Sequence, residues 1–314
     1  MDMRRCPPLK RYQVKLIGPE AQGARISSFA LRDLINVLTE GCLRSLRLRV
    51  EGQSSSSGPV PAWLKASARF DFVGLAAGST VLLVEAPSLA EASPDHFAQG
   101  DLFQDLDVGQ PSLALLEEGL QDALQGNADS DAYDDGLIQV FEGFGGLLGP
   151  GIRSISIQGN RNIEVTSDGM AKVGQLRRQT PAPRRVRVAG KVDAIRHRDR
   201  MFTLMLDNGP TLRGVAESVP TDKLASLFGK VAIVSGLGVF RPSGGLLRVE
   251  ADHIELATGD IAVWSQVPKP LEGGPDSRRL RQQQGPRSGL NAIFGAWPGN
   301  ETDEEVRARL TEMS

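Results

Sequence analysis

Apolar and polar positions follow two different periods in the first 180 residues. Residues 12–17 alternate apolar and polar side chains, the period of a strand with one buried face. Phe29, Leu31, Leu34, Ile35, Leu38 and Cys42 then recur at helical spacing. Ser27 or Ser28 precedes them, and either hydroxyl can accept from the first unpaired N–H groups of a helix. The serines at 54–57, followed by Gly58 and Pro59, predict a loop. Residues 69–75 and 80–85 predict two strands of a hairpin, and a second hairpin is expected from 152–157 and 162–166, turning at Gly159-Asn160. Helices are predicted at 112–124 and 134–148. Strands and helices in this order give an α+β domain over 1–180. The glycines at 143–151 do not make a phosphate loop, because no strand–GxxxxGK[ST]–helix order surrounds them; close packing or helix termination is the expectation.

A short hinge at 179–184, stiffened by Pro181 and Pro183, leads into a second pattern. Val186, Val188, Gly190 and Val192 alternate with Arg187, Lys191 and Asp193 in a long half-buried strand at 186–195. Strands at 201–206 and 211–216 flank the turn Asp207-Asn208-Gly209, which predicts a hairpin. Thr221 opens a short helix to 228 that Gly229 ends, and strands follow at 230–240 and 246–256. In the last strand, strict alternation puts Leu247, Val249, Ala251 and His253 on one face. Leu246, Arg248, Glu250, Asp252 and Ile254 then lie on the other. The order β-β-β-α-β-β, with a long first strand, resembles the OB-fold and implies a five-stranded OB-like β-barrel over 181–258. Residues 259–290, rich in Pro, Gly, Arg and Gln, read as a flexible linker, and 291–314 as a docking segment with a short helix.

Composition narrows the class more than the function. The 314 residues are 40% hydrophobic and 24% charged, as expected of a folded protein. Two cysteines, Cys6 and Cys42, support neither a disulfide framework nor a structural zinc site, so a reducing cytoplasm is the expected location. The charges at the start of the chain precede no apolar signal core, and no apolar run approaches a membrane span. The net charge of −2 hides a strong segregation. No Lys or Arg occurs between Arg69 and Arg153, whereas 172–200 is crowded with arginines. The basic stretch is either a solvated linker or a surface facing acids, on a partner or on the first domain.

Catalysis has little support. His96, His197 and His253 are scattered, with no nucleophile or paired carboxylate at a recognisable spacing, and no enzyme, cofactor or metal site is expected. The acidic pairs Asp105/Asp107, Asp129/Asp131 and Asp134/Asp135 lack the sixth-position glycine and closing glutamate of a calcium loop; helix caps and solvated loops are expected. The C-terminal segment is more informative. Phe294 and Trp297 are too large for so short a segment to bury against itself, and Thr302 with Glu305 forms a capping box for a last helix. This layout fits docking on another molecule or on the chain's own domains.

FGAWPGNETDEEVRARL, residues 294–310, resembles the C-terminal segment of bacterial type II antitoxins and antitoxin-like proteins that pair with PIN-domain ribonuclease toxins. The resemblance covers about twenty residues. It implies a partner-binding segment containing Phe294, Trp297, Pro298, Glu301, Arg307, Arg309 and Leu310, with the two aromatics as anchors. Arg307, Arg309 or Arg287 would approach the toxin's metal-binding acids. Asn300 stands where that pattern has Asp, and no ribbon-helix-helix or AbrB-like domain opens the chain, which leaves operator binding without a basis. The alternatives are an OB-fold that binds single-stranded nucleic acid or a structural subunit of a larger assembly. Candidate nucleic-acid contacts are Arg187, Lys191, Arg196, Arg198, Arg200 and Arg241, with Arg213 and Arg248 nearby in sequence. Stacking aromatics are scarce, since only Phe202, Phe228 and Phe240 fall in the barrel.

Overall fold

The alternation at the start of the chain forms β1 (Lys10–Ile17), which turns Tyr12, Val14 and Leu16 into the interior. In the computed structural model, the described residues are 9–270 apart from 22, 77–79, 99–105, 197–199, 208, 210, 259–260 and 262–263. They belong to one compact unit, Met1–Pro270. The fold class is α+β, with two five-stranded sheets.

The first sheet pairs β1 with β3 (Val81–Ala86) and β4 (Ser154–Gln158). The hairpin partners β2 (Asp71–Ala76) and β5 (Asn162–Thr166) form its edges, and every pairing is antiparallel. Helices α1 (Ser28–Glu51), α5 (Ser112–Gln125), α6 (Asp135–Gly145) and α7 (Ser167–Gln179) share one apolar core with this sheet. Ser27 caps α1 by accepting from the Ala30 N–H at 3.2 Å. Leu34, Leu38 and Cys42 are buried as their spacing predicts. Phe29, in the first turn, is instead 70% exposed beneath the Arg32 guanidinium. The last turns of α1 lose their periodicity because Leu46, Arg47, Leu48 and Val50 are all buried. A second small core takes Leu46 and Val50 with α2 (Ala62–Ser67), α3 (Leu89–Ala92) and α4 (Pro94–Phe97). The predicted helix at 134–148 is α6, capped by Asp134, and it stops within the glycine run. One of those glycines, Gly143, meets the Val37 side chain so closely that a Cβ would fall 2.7 Å from Val37 Cγ2. These glycines therefore serve helix packing and helix termination.

The second sheet closes on itself. β6 (Arg184–Arg196) pairs with β7 (Met201–Met205), β7 with β8 (Thr211–Val215), β8 with β10 (Leu246–Leu256), β10 with β9 (Val231–Phe240), and β9 with β6. Only β8 and β10 run parallel, and α8 (Thr221–Ser226) lies between β8 and β9 in sequence. The 13-residue β6 pairs with β9 through its first half and with β7 through its second, so one strand closes the ring. Strict alternation fails in β10. Register shifts between Leu246 and Arg248 and between Ala251 and His253 turn Leu246, Val249, Ala251 and Ile254 all inward, and leave His253 in solvent. A bulge inserts one unpaired residue and so swaps the faces beyond it.

Trp264 and Lys269, within the segment 259–290 read as a flexible linker, bond to the barrel. Ala189 N–H donates to the Trp264 carbonyl at 2.7 Å, and the Arg184 guanidinium donates to the Lys269 carbonyl. Among the described residues, no helix is long and apolar enough to cross a membrane.

Candidate functional site

The first half of the chain packs on the side of the barrel formed by β7, β8 and β10. Gly52, the left-handed C-cap of α1 with φ +77°, fits so tightly that a Cβ would lie 2.8 Å from Met201 Cε and 3.1 Å from Val215 Cγ2. Beside it, Arg248 on β10 donates to Asp134 at 2.9 Å, and the two residues are 6% and 4% exposed. Asp134 also accepts from the Ser54 and Leu137 N–H groups, each at 3.1 Å. One carboxylate thus caps α6, fixes the loop after α1 and anchors the barrel. Arg248 completes its fork on Glu250 at 2.9 Å. At the barrel rim, the Arg241 Nε donates to Asp131 at 2.8 Å, and Gln53 Nε2 donates to Glu217 at 2.6 Å. The acidic first half therefore meets an arginine just past β9 and one on β10. From the basic stretch at 172–200, Arg177 on α7 pairs with Glu142 on α6.

The predicted basic candidates do not line one groove. Arg187 reaches across β9 to Glu255 at 2.8 Å, with its guanidinium 5.0 Å from the centre of the Trp264 ring. Its neighbour Arg185 reaches Asp252 in the same way. Lys191 is exposed on β6 between Met205 and Val231, its cross-strand partners. Arg196 donates to the Met201 sulfur, Arg241 is held at the junction, and Arg200 lines a cavity shared with α1. Arg198 and His197 lie outside the described residues. Of the barrel aromatics, Phe202 and Phe240 are in the core and Phe228, just past the end of α8, is exposed.

No protein-family model, curated protein or solved structure matches this chain.

Phe294, Trp297, Pro298, Glu301, Arg307, Arg309 and Leu310 lie outside the described residues, as do Arg287 and the predicted capping box. The sequence reading missed the Asp134–Arg248 junction, treating Asp134 as a helix cap and Arg248 as a surface cation. The usable signal was an arginine inside an otherwise apolar strand, Leu246–Val249, where a buried charge demands a carboxylate partner. A buried acid was missed as well. Glu117 on α5 is 1% exposed and accepts from the Asn160 N–H at 3.2 Å. Burial pushes its carboxyl up to about 7, against the lowering effect of the Arg161 and Asn160 backbone groups.

Proposed function

We propose that this chain is a non-catalytic, antitoxin-like binding protein of the cytoplasm. In this reading residues 9–270 form a scaffold, and the segment 291–314 docks on a PIN-domain ribonuclease. We also read the closed five-stranded ring as an OB-like barrel. The strand order β6–β7–β8–β10–β9, the parallel pairing of its third and fifth strands and the helix between its third and fourth support that reading.

The covered β7–β8–β10 side carries the choice of scaffold over nucleic-acid barrel. Surface pairs such as Arg187–Glu255 are each worth roughly 0.2–1 kcal/mol, so a polyanion could displace them, and they decide little. Stacking decides more, at about 1–3 kcal/mol per base. Phe202 and Phe240 are spent in the core, and Trp264 already carries Arg187 on its ring. A single strand would find charge here without a run of stacking platforms.

In the docking segment, Phe294 and Trp297 supply most of the binding free energy, because interface hot spots are few and rich in aromatics. A basic side chain, Arg307 or Arg309, competes with metal for the nuclease's acids. Trp297→Ala is expected to weaken the complex with a PIN-domain nuclease by about 2–4 kcal/mol, measured by titration calorimetry. An unchanged dissociation constant would remove Trp297 from the interface.

A further inference from the structure

A cavity of about 530 Å³ lies where the end of α1, the loop after it, α2, α4 and the barrel meet. This volume holds a small organic molecule rather than only an inorganic ion. Two guanidiniums, two carboxylates and two aromatic rings line it: Arg47 and Glu51 from α1, Trp63 from α2, His96 from α4, and Arg200 and Glu217 from the barrel.

The two arginines each have few partners for their donors. Arg47 is 6% exposed, yet its only partner among the described residues is the Glu51 carboxylate, 3.2 Å from its Nε. A guanidinium has five N–H donors, and a buried donor without an acceptor costs about 1–3 kcal/mol. The Arg47 Nε is buried with no hydrogen bond beyond this ion pair, and the residue lines the cavity, where an acceptor would meet its guanidinium. Arg200 meets no carboxylate among the described residues; its side chain donates to the Glu217 carbonyl alone. It also holds the left-handed backbone conformation at φ +51°, unusual for a side chain of this kind, and its carbonyl accepts from Ala216 N–H at 2.8 Å. Strained backbone is kept where the surroundings fix it, and here it sets a guanidinium at the cavity wall.

The carboxylates restrict the ligand's charge. Glu51 already faces Arg47, and Glu217 accepts from Gln53 at 2.6 Å, so two carboxylates border the cavity. A ligand with one negative charge gains from the guanidiniums with little repulsion, whereas a dianion is opposed twice. Trp63 and His96, stacked 3.7 Å apart and nearly parallel, form a flat aromatic wall for the ligand's body. The Trp63 carbonyl accepts from Ser93 Oγ at 3.0 Å, which ties the helix carrying Trp63 to the one carrying His96.

We propose that this cavity binds a small organic monocarboxylate, its carboxylate held by Arg47 and Arg200 and its apolar body against Trp63 and His96. The bidentate geometry of guanidinium and carboxylate supplies the recognition. The site is independent of the docking segment and stands whether or not that segment binds a nuclease.

Calorimetric titration of the full chain with benzoate, phenyl phosphate and benzyl alcohol tests it. Benzoate is expected to bind saturably, more tightly than phenyl phosphate, with no saturable binding of benzyl alcohol. Arg200→Gln is expected to weaken benzoate by about tenfold, and Arg200→Lys by less, since Lys keeps the charge and loses the fork. Arg200 is exposed and carries one side-chain bond, so these variants should fold. Three results would overturn the proposal: no saturable benzoate binding at millimolar concentration, tighter binding of phenyl phosphate, or benzoate affinity unchanged in Arg200→Gln.

Discussion

Glu117 shows how a single side chain sets the pH dependence of the first domain. Its carboxyl rises from the ordinary 4.5 to about 7 because it is buried beside Tyr12 and Cys42, whose own ionisations burial also pushes up. The folded protein therefore holds this proton more tightly than the unfolded chain. The stabilisation is fully present below pH 4.5 and is lost as pH rises to about 7, a difference of about 3 kcal/mol. Glu117→Gln keeps an acceptor for the Asn160 N–H and removes the charge. Its urea midpoint is expected to match the parent's at pH 5 and to exceed it at pH 8; equal midpoints at both pH values would contradict the burial argument. The Asp134–Arg248 pair makes a different case, a buried acid whose partner is a guanidinium 2.9 Å away. Arg248→Ala strands a buried carboxylate and is expected to cost about 3–5 kcal/mol. Asp134→Asn with Arg248→Met, which keeps the cap and fills the space, is expected to cost much less in the same denaturation measurement.

At the scale of elements, legibility in the sequence depended on having one wet face and one dry face. β1, β4 and β5 have both, and their alternation places them within a few residues. The ends of α1 and β10 do not. The last turns of α1 pack against two apolar cores and, at Gly52, against the barrel, so the buried Arg47 sits among leucines with no period to mark it. In β10 the two bulges reverse the faces, which no alternation reveals, so His253 and Ile254 exchange places relative to expectation. α7 was readable and overlooked: Thr166 accepts from the Gly169 N–H, Val173 and Leu176 are buried at helical spacing, and Arg177 and Arg178 close the last turn. Of the cavity, Arg200 was picked out only as a candidate nucleic-acid cation. Arg47, Trp63 and His96 converge through the fold from distant points in sequence. Gly52 joins the elements most directly. Gly52→Ala adds left-handed strain and a clash with Met201 and Val215, and is expected to lower stability by about 2–3 kcal/mol. A thermal midpoint within error of the parent would show that this contact is not tightly packed.

For the whole molecule, the acidic first half and the barrel share a buried ion pair and the contacts at Gly52, so residues 9–270 present one scaffold rather than two independent surfaces. Three of the barrel's cations, Arg187, Arg241 and Arg248, are paired with acids of the same chain. The docking segment's aromatics then become the natural place for a partner. The most direct test compares what the full chain and a chain ending at Ser288 retain from lysate of the protein's own cells. The account predicts that a small nuclease with an acidic active site is held by the full chain alone and is lost with Trp297→Ala. Nucleic acid retained equally by both chains, with no protein difference between them, would contradict it and move the function to the barrel.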